Sequence, residues 1–327
     1  MHSTHCSITV KYCYFKIVMT IMGEFSKYVG EVGEDIVNDF LTLFGWRNMC
    51  NNKKVDCCVS THEKITHGVD ALYVYDSLLQ KQTLVSVVVS AKYSASSYTS
   101  VKSTFREHFK DIANTIECYN KSQLKRNITK NFKGSSRKED IGVLFYLNND
   151  ENEEKDNIKG TIANTRIDNT LKFNTIHVID NARAKFLFES LNFIRKKYKD
   201  CDFFCNNTTL NIASSKTHTK IMPVEYITSP IIPISVASEN GRRFILLCDF
   251  DFSKESLILV FNLARKLCSD FSSHYEIYFK QYNALTDDPI IDEVKMSQIN
   301  EDDDILESID VQISSYNSNF RNIKNEK

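Results

Sequence analysis

The sequence is poor in glycine. It has nine glycines among its 327 residues, and none of them falls in a glycine-rich phosphate-binding loop. Such a loop needs closely spaced glycines, because its backbone amides must approach the phosphates without obstruction from side chains. We therefore do not expect a nucleotide-driven motor within this chain.

Long apolar runs are also missing. No stretch has the length and hydrophobicity of a transmembrane helix. Residues 1–21 include Lys11 and Lys16, so they lack the unbroken apolar segment of a signal peptide. A regular pattern begins only at Met22. We hypothesise that Met22 is the natural start, that residues 1–21 are a dispensable extension, and that the protein is cytoplasmic and not bound to a membrane.

The chain has no large excess of charge of either sign. Its formal net charge is -1, so affinity for nucleic acid would have to come from a local basic patch. Residues 121–138 supply such a patch, because they contain no acid, and we expect them next to the site described below. Contact with nucleic acid and a merely solvated loop are both open for its basic residues, which are Lys121, Lys125, Arg126, Lys130, Lys133, Arg137 and Lys138.

The ten cysteines lack the spacing of a small disulfide framework. Scattered cysteines in a chain of this size are typical of the reducing cytosol. One group of residues, Cys57, Cys58, His62 and His67, suggests a zinc site. Its spacing matches no usual pair of zinc ligands, so we expect ordinary thiols and imidazoles there.

Hydrophobic periodicity predicts an alternation of helices and strands over the first part of the chain. Helices are expected at about 25–44 and 101–119 and again after Asp180, and strands at about 55–59, 67–76, 84–93, 141–147 and 175–179. The second and third of these strands are joined by a short polar turn and form a hairpin. The order of elements indicates an α/β protein with a mixed central sheet.

The second part of the chain is predicted in less detail. A strand at 244–250, a helix capped by Ser253 and a strand at 274–280 indicate one β-α-β unit. From residue 286 onwards acids dominate, which favours a mobile tail, with a docking helix as the alternative. The expected division of the chain is an extension over 1–21, a first domain over 22–200, an α/β region over 201–285 and an acidic tail over 286–327.

The hairpin brings reactive side chains together. If Asp76 faces Leu84, then Asp70 lies opposite Ser90 and diagonal to Lys92. Ser90 and Lys92 share one face, because alternate residues of a strand point the same way. A carboxylate there can bind Mg²⁺, and a lysine can orient a water beside a phosphate. A register shifted by one residue would put Asp70 on the wrong face.

These features resemble the PD-(D/E)xK, or restriction-endonuclease-like, nuclease superfamily. The resemblance is carried by residues 30–34 (Gly-Glu-Val-Gly-Glu) with Gly45-Trp46 at the helix end, by residues 67–70 (His-Gly-Val-Asp), by Ser90-Ala91-Lys92, and by the amphipathic helix at 101–119. It covers the chain from Gly23 to about Leu147. It implies a restriction-endonuclease-like core with a mixed central sheet flanked by helices, followed here by a C-terminal α/β extension.

The resemblance also implies roles for individual residues. In that superfamily a helix glutamate and a strand aspartate bind Mg²⁺, the middle residue of the tripeptide adds a carbonyl oxygen, and its lysine assists the attacking water. These roles fall on Glu34, Asp70, Ala91 and Lys92, with Mn²⁺ as the alternative cofactor. Ser90 departs from the pattern, because the family usually has Glu or Asp there and serine removes a metal ligand.

A substitute for the missing acid would come from another element. Some restriction enzymes with a Ser-x-Lys tripeptide use an acid from the following helix, and Glu107 has the nearest spacing. On a helical wheel, however, Glu107 faces away from the apolar stripe of its helix. We therefore rank Glu34 above Glu107 as the additional metal ligand.

A closer similarity is to the nuclease subunit of two-gene prokaryotic systems that defend against phages or plasmids. It is carried by residues 22–31 (Met-Gly-Glu-Phe-Ser-Lys-Tyr-Val-Gly-Glu), by residues 67–70 and by the tripeptide. We therefore predict a Mg²⁺-dependent DNA endonuclease that acts with a co-encoded protein subunit. The alternative, favoured by Ser90, is a non-catalytic DNA-binding or scaffold subunit with a degenerate nuclease fold. RNA as substrate and a homo-oligomer are left open.

Overall fold

Two mixed β-sheets, with helices between them and on their outer faces, organise the chain. The computed structural model describes residues 4–150, 158–206, 216–238, 241–268, 274–299 and 310–317, and the side chains from Gly23 onwards. Within these residues no helix has the length and apolar character needed to span a bilayer.

The first sheet contains five strands in the order β1-β2-β3-β4-β5. The first three strands are antiparallel to one another, and the last three run parallel. This part of the chain comprises α1 (Thr4–Leu43), β1 (Cys50–Asp56), β2 (Thr66–Asp76), β3 (Thr83–Ser94), α2 (Val101–Lys121), α3 (Gln123–Thr129), β4 (Arg137–Asn148), α4 (Lys159–Ile162), β5 (Thr175–Ile179) and α5 (Asn181–Lys197). The predicted mixed sheet flanked by helices is confirmed.

The second sheet has six strands in the order β11-β10-β9-β8-β6-β7 among the described residues. Its elements are β6 (Cys201–Asn206), β7 (Lys216–Thr219), β8 (Ile231–Ser238), β9 (Gly241–Cys248), α6 (Lys254–Cys268), β10 (His274–Phe279), α7 (Ala284–Ile299) and β11 (Asp310–Ser315). Strands β9 and β10 are parallel and are joined through α6, which confirms the predicted β-α-β unit.

Three apolar clusters connect the layers. The largest contains one face of each sheet together with residues of α1 and α5, so these helices lie between the sheets. The second cluster places α2 against the other face of the first sheet. The third places α6 and α7 against the outer face of the second sheet. The first sheet is therefore covered on both faces, which suits strands as continuously apolar as β3 and β4.

The acidic tail expected from residue 286 is wrong for the residues described there. Helix α7 buries Ile291 and Val294 in the third cluster, and β11 extends the second sheet beside β10. Acidic side chains occupy the exposed side of α7, which corresponds to the helix given above as the alternative to a mobile tail. Two boundaries also differ from expectation, since α1 begins at Thr4 rather than near Phe25 and β1 covers Cys50–Asp56.

Helix α1 ends in a turn that only glycine suits. The amide of Gly45 donates to the carbonyl of Thr42 and that of Trp46 to the carbonyl of Leu41, both at 3.0 Å, which is the Schellman arrangement. Gly45 has φ +75°, and a Cβ at this position would lie 2.1 Å from the carbonyl oxygen of Lys220. The turn therefore also determines how closely the segment that follows β7 approaches the end of α1.

The same corner ties the two sheets together by hydrogen bonds. The indole Nε1 of Trp46 donates to the carbonyl of Met222 at 2.9 Å, and the amide of Met222 donates to the carbonyl of Phe44 at 2.9 Å. The hydroxyl of Tyr75 on β2 accepts from the amide of Val224 at 3.0 Å. These bonds are buried, so breaking one leaves unpaired polar groups in the core.

We expect Gly45→Ala to lower the free energy of unfolding by about 2 kcal/mol or more, because alanine is strained at this φ and its methyl group meets the Lys220 carbonyl. Gly30→Ala is the matched control, since Gly30 is exposed on the same helix and a Cβ there meets nothing within 4 Å. The control should be neutral or stabilising. Urea unfolding of both variants measures the difference, and equal midpoints would contradict the proposed strain.

Candidate active site

The hairpin has the register predicted from the sequence. Paired residues run from Ala71 opposite Val89 to Asp76 opposite Leu84, and one further step places Asp70 opposite Ser90. The Oδ2 atom of Asp70 accepts a hydrogen bond from the backbone amide of Ala91 at 2.6 Å. The aspartate is therefore fixed beside the tripeptide.

Alternation along the strands decides which layer each side chain reaches. Leu72 and Val88 pack in the cluster formed with α2. Asp70, Ser90 and Lys92 have the same parity in their strands, so they point towards α2 as well. Ala91 and Tyr93 point the other way and pack against the layer that contains α1. The polar residues thus share one face, as predicted.

Asp111 on α2 is a site residue that the sequence did not reveal. Its Oδ2 atom lies 3.5 Å from Nζ of Lys92, and its Oδ1 atom accepts a hydrogen bond from Nζ of Lys64. Burial by itself would raise the pKa of the Asp111 carboxyl, but the hydrogen bond from Lys64 and the charge of Lys92 lower the pKa below its usual range. Asp111 is therefore an anion at neutral pH.

Glu107 does not take this position. It lies one helical turn before Asp111, is exposed, and forms no hydrogen bond or ion pair with a described residue of the site. Its outward direction agrees with the helical wheel. The acid of α2 that contacts Lys92 is Asp111, which is the next acid along the helix.

Glu34 lies near the tripeptide but in a different layer. A Cβ on Gly33 would lie 2.5 Å from Cβ of Tyr93, so α1 passes very close to β3 just beyond Lys92. Tyr93, however, points away from the face that carries Lys92. Glu34 itself is half-buried, and no hydrogen bond or ion pair joins it to Asp70, Lys92 or another described residue.

His108 adds a neutral imidazole to the α2 side of the site. Burial lowers the pKa of His108, the nearby charge of Lys92 lowers it further, and Asp111 opposes the shift. Its position one turn from Asp111 follows from the helical repeat. The site therefore combines carboxylates, an amine and an uncharged nitrogen base on one face of the sheet.

The basic stretch at 121–138, for which DNA contact and a solvated loop were both open, is not an irregular loop and does not lie next to the site. It contains helix α3 and the first residues of β4. Lys125 is buried, and its Nζ atom lies 2.5 Å from Oδ2 of Asp140, so its charge is already compensated inside the protein. The other six basic residues are exposed, and they are Lys121, Arg126, Lys130, Lys133, Arg137 and Lys138.

The stretch also lies at the far end of the sheet. Arg137 at the start of β4 pairs with Thr83, whereas Tyr146 near its end pairs with Lys92. Nine residues along a strand correspond to about 30 Å. The expected adjacency to the site is therefore wrong, although the exposed cations remain available to a long polyanion.

The donor set of the site fits a hard divalent cation. Asp70 and Asp111 offer carboxylate oxygens on the α2 side, and Mg²⁺ is commonly bound by one or two carboxylates together with waters and substrate phosphates. Within the described residues neither aspartate belongs to a group of three or more metal-ligating side chains. Waters and other oxygen ligands would therefore complete the coordination shell.

Comparison with known proteins agrees with this geometry. Residues 22–183 match a family model described as the PD-(D/E)XK nuclease domain of the GAPS4 protein. The matched segment includes most of α1, the whole first sheet with Asp70, Lys92 and Asp111, and the start of α5. The curated proteins and the solved structures gave no match. Residues 22–183 therefore form a domain of the PD-(D/E)XK nuclease superfamily.

Proposed function

We propose that the protein is a Mg²⁺-dependent DNA endonuclease in which Asp70, Lys92 and Asp111 form the reactive centre. The observation that carries the proposal is the 3.5 Å approach of Asp111 to Lys92 on the sheet face that also carries Asp70. Asp111 replaces the acid that Ser90 lacks, so the tripeptide departs from the family pattern without leaving the site short of a carboxylate. Mn²⁺ is the expected substitute cation.

The residues have separate roles. Asp70 and Asp111 bind the cation, and the hydrogen bond from the Ala91 amide keeps the Asp70 carboxylate in one orientation. When bound, the cation would polarise the scissile phosphate and favour ionisation of a water. Lys92 positions that water and offsets charge that develops on the phosphate. Ser90 contributes a hydroxyl on the same face.

The wider biological role is also a proposal. The similarity of residues 22–31, 67–70 and the tripeptide to nuclease subunits of two-gene defence systems supports action on phage or plasmid DNA in the cytoplasm. It also supports a co-encoded protein partner. Co-purification from a native host tests the partner, and recovery of the chain alone under mild conditions would count against it.

A second candidate is a non-catalytic DNA-binding or scaffold subunit. It is favoured by Ser90 and by the pairing of Asp111 with two lysines, which resembles a structural ion pair. A plasmid-nicking assay with Mg²⁺, with and without EDTA, separates the candidates when it is run on the chain alone and with its co-encoded protein. A labelled RNA in parallel identifies the substrate class. Absence of cleavage in every arm would favour the scaffold.

We expect Lys92→Met and Asp70→Asn each to reduce the cleavage rate by at least about 100-fold, because each removes a group that acts on the reacting phosphate or water. Methionine preserves the length and packing of the lysine stem. Lys81→Met, at the hairpin turn on the other end of β3, is the matched control. Rates are measured at saturating DNA, with circular dichroism to verify folding. Undiminished cleavage in both site variants would refute the assignment.

Three variants identify the acid that compensates for Ser90. We expect Asp111→Asn to reduce cleavage by at least about 100-fold and to raise the Mg²⁺ concentration needed for half-maximal rate, because a metal ligand is lost. Glu107→Gln should stay close to wild type, and Glu34→Gln should have a smaller effect than Asp111→Asn. Thermal melting of each variant shows whether the weakened contact with Lys64 has lowered the stability of Asp111→Asn. If Glu34→Gln is inactive and Asp111→Asn remains active, the additional metal ligand is Glu34 and not Asp111.

The exposed part of the basic stretch is tested through salt dependence. If it contacts DNA, Lys130→Ala with Lys133→Ala should weaken binding of a duplex long enough to span the sheet, and the slope of log K against log salt should fall by about 2, close to 0.9 for each lost phosphate contact. The experiment uses Lys92→Met to prevent cleavage. In a separate experiment with Lys92 intact, the double variant should cleave saturating DNA at the unchanged rate, because Lys130 and Lys133 lie far from the site. An unchanged slope would remove the stretch from the DNA interface.

A further inference from the structure

Four side chains with metal-binding atoms converge beside the nuclease site. Cys57 follows β1, His62 lies in a short 3₁₀ turn at Ser60–His62, His67 is on β2, and Cys118 is on α2. One ligand atom from each of the four lies within 4.8 Å of the other three. The fourth residue, Cys118, is 51 positions beyond His67, so no local spacing in the sequence shows the group.

The distances within this group are those of a tetrahedral zinc site. With Zn–S near 2.3 Å and Zn–N near 2.0 Å, the edges of a tetrahedron are about 3.8 Å for S to S, about 3.3 Å for N to N and about 3.5 Å for S to N. The Sγ atoms of Cys57 and Cys118 are 3.8 Å apart, and Nδ1 of His62 lies 3.3 Å from Nε2 of His67. Nδ1 of His62 is 3.5 Å from Sγ of Cys118 and 3.7 Å from Sγ of Cys57.

The histidine on β2 is buried with one of its ring nitrogens unpaired. His67 is 1% exposed, its Nε2 atom faces the group, and its Nδ1 atom has no hydrogen-bond partner among the described residues. A buried imidazole without adequate partners is costly, and a cation would compensate it.

Glu117 contacts the ring nitrogen of His62 that does not face the group. Nε2 of His62 lies 3.5 Å from Oε2 of Glu117, whose side chain is 9% exposed. Metal-bound histidines usually donate their second N–H to a carboxylate or carbonyl, which fixes the ring and strengthens the ligand. Lys121 and Lys172 pair with the other carboxylate oxygen of Glu117.

We propose that Cys57, His62, His67 and Cys118 bind one structural zinc ion, at a site separate from the nuclease centre. Four protein ligands complete a tetrahedral shell and leave no position for water or substrate, so the ion would stabilise structure rather than take part in the reaction. It would fasten residues 57–67 to α2. That segment also carries Lys64, which holds Asp111, so the zinc site would help to position the nuclease centre.

Metal analysis tests the proposal directly. The full-length protein is purified without chelator, and zinc is measured per chain by mass spectrometry. We expect about one zinc per chain in the wild type and at least about a tenfold decrease in Cys118→Ser and in His62→Asn. Cys201→Ser is the matched control, because Cys201 is a half-buried cysteine on β6 in the second sheet and lies outside the group. The control should retain its zinc.

Cobalt substitution keeps the test valid if the ligand variants do not fold. Wild-type protein loaded with Co²⁺ should show the intense visible bands of tetrahedral cobalt and a thiolate-to-cobalt charge-transfer band. Wild-type protein that contains no zinc and takes up none after incubation would overturn the proposal, as would weak octahedral bands. A Cys57–Cys118 disulfide, detected by thiol counting before and after reduction, would overturn it as well. None of these readouts depends on cleavage.

Discussion

The register of β3 between β2 and β4 is the constraint on which the candidate site depends. Because successive side chains of a strand point to opposite faces, a shift of one residue would exchange the two faces. Ser90 and Lys92 would then enter the apolar layer of α1, and Ala91 and Tyr93 would face α2 on the side where Asp70 remains. The register is held by burial, since residues 83–89 of β3 are buried on both faces. The reactive residues occur where this continuous burial ends.

The sequence was sufficient for the features that depend on neighbouring residues. The hairpin, its register, the helix that became α2 and the helix that begins after Asp180 all follow from alternation or helical spacing within a few residues. Asp180 accepts from the amide of Arg183 at 2.9 Å, as an N-cap should. Local patterns alone therefore place Asp70 and Lys92 together.

The sequence was not sufficient where two distant elements must be aligned. Asp111 meets Lys92 because of the position along α2 at which the helix crosses β3, and helical periodicity alone does not determine that position. Cys118 completes the proposed zinc group for the same reason. The basic stretch shows the opposite kind of error. Its residues follow α2 in the sequence, but they lead into β4, and the first residues of β4 lie at the end of the sheet far from the site. Alignment between elements, rather than the elements themselves, was the missing information.

A carboxylate supplied by α2 places different demands on the protein from one supplied by the tripeptide. A tripeptide acid is oriented by its own strand, whereas Asp111 depends on how α2 rests on the sheet. Lys64 restrains that carboxylate from the segment between β1 and β2, and the four-residue cysteine and histidine group joins the same segment to α2 two turns further along. When the acid is on a helix, the position of that helix therefore determines the distance between the carboxylate and Lys92. In the proposed site, the contacts between α2 and residues 57–67 therefore also determine where the Asp111 carboxylate lies relative to Lys92.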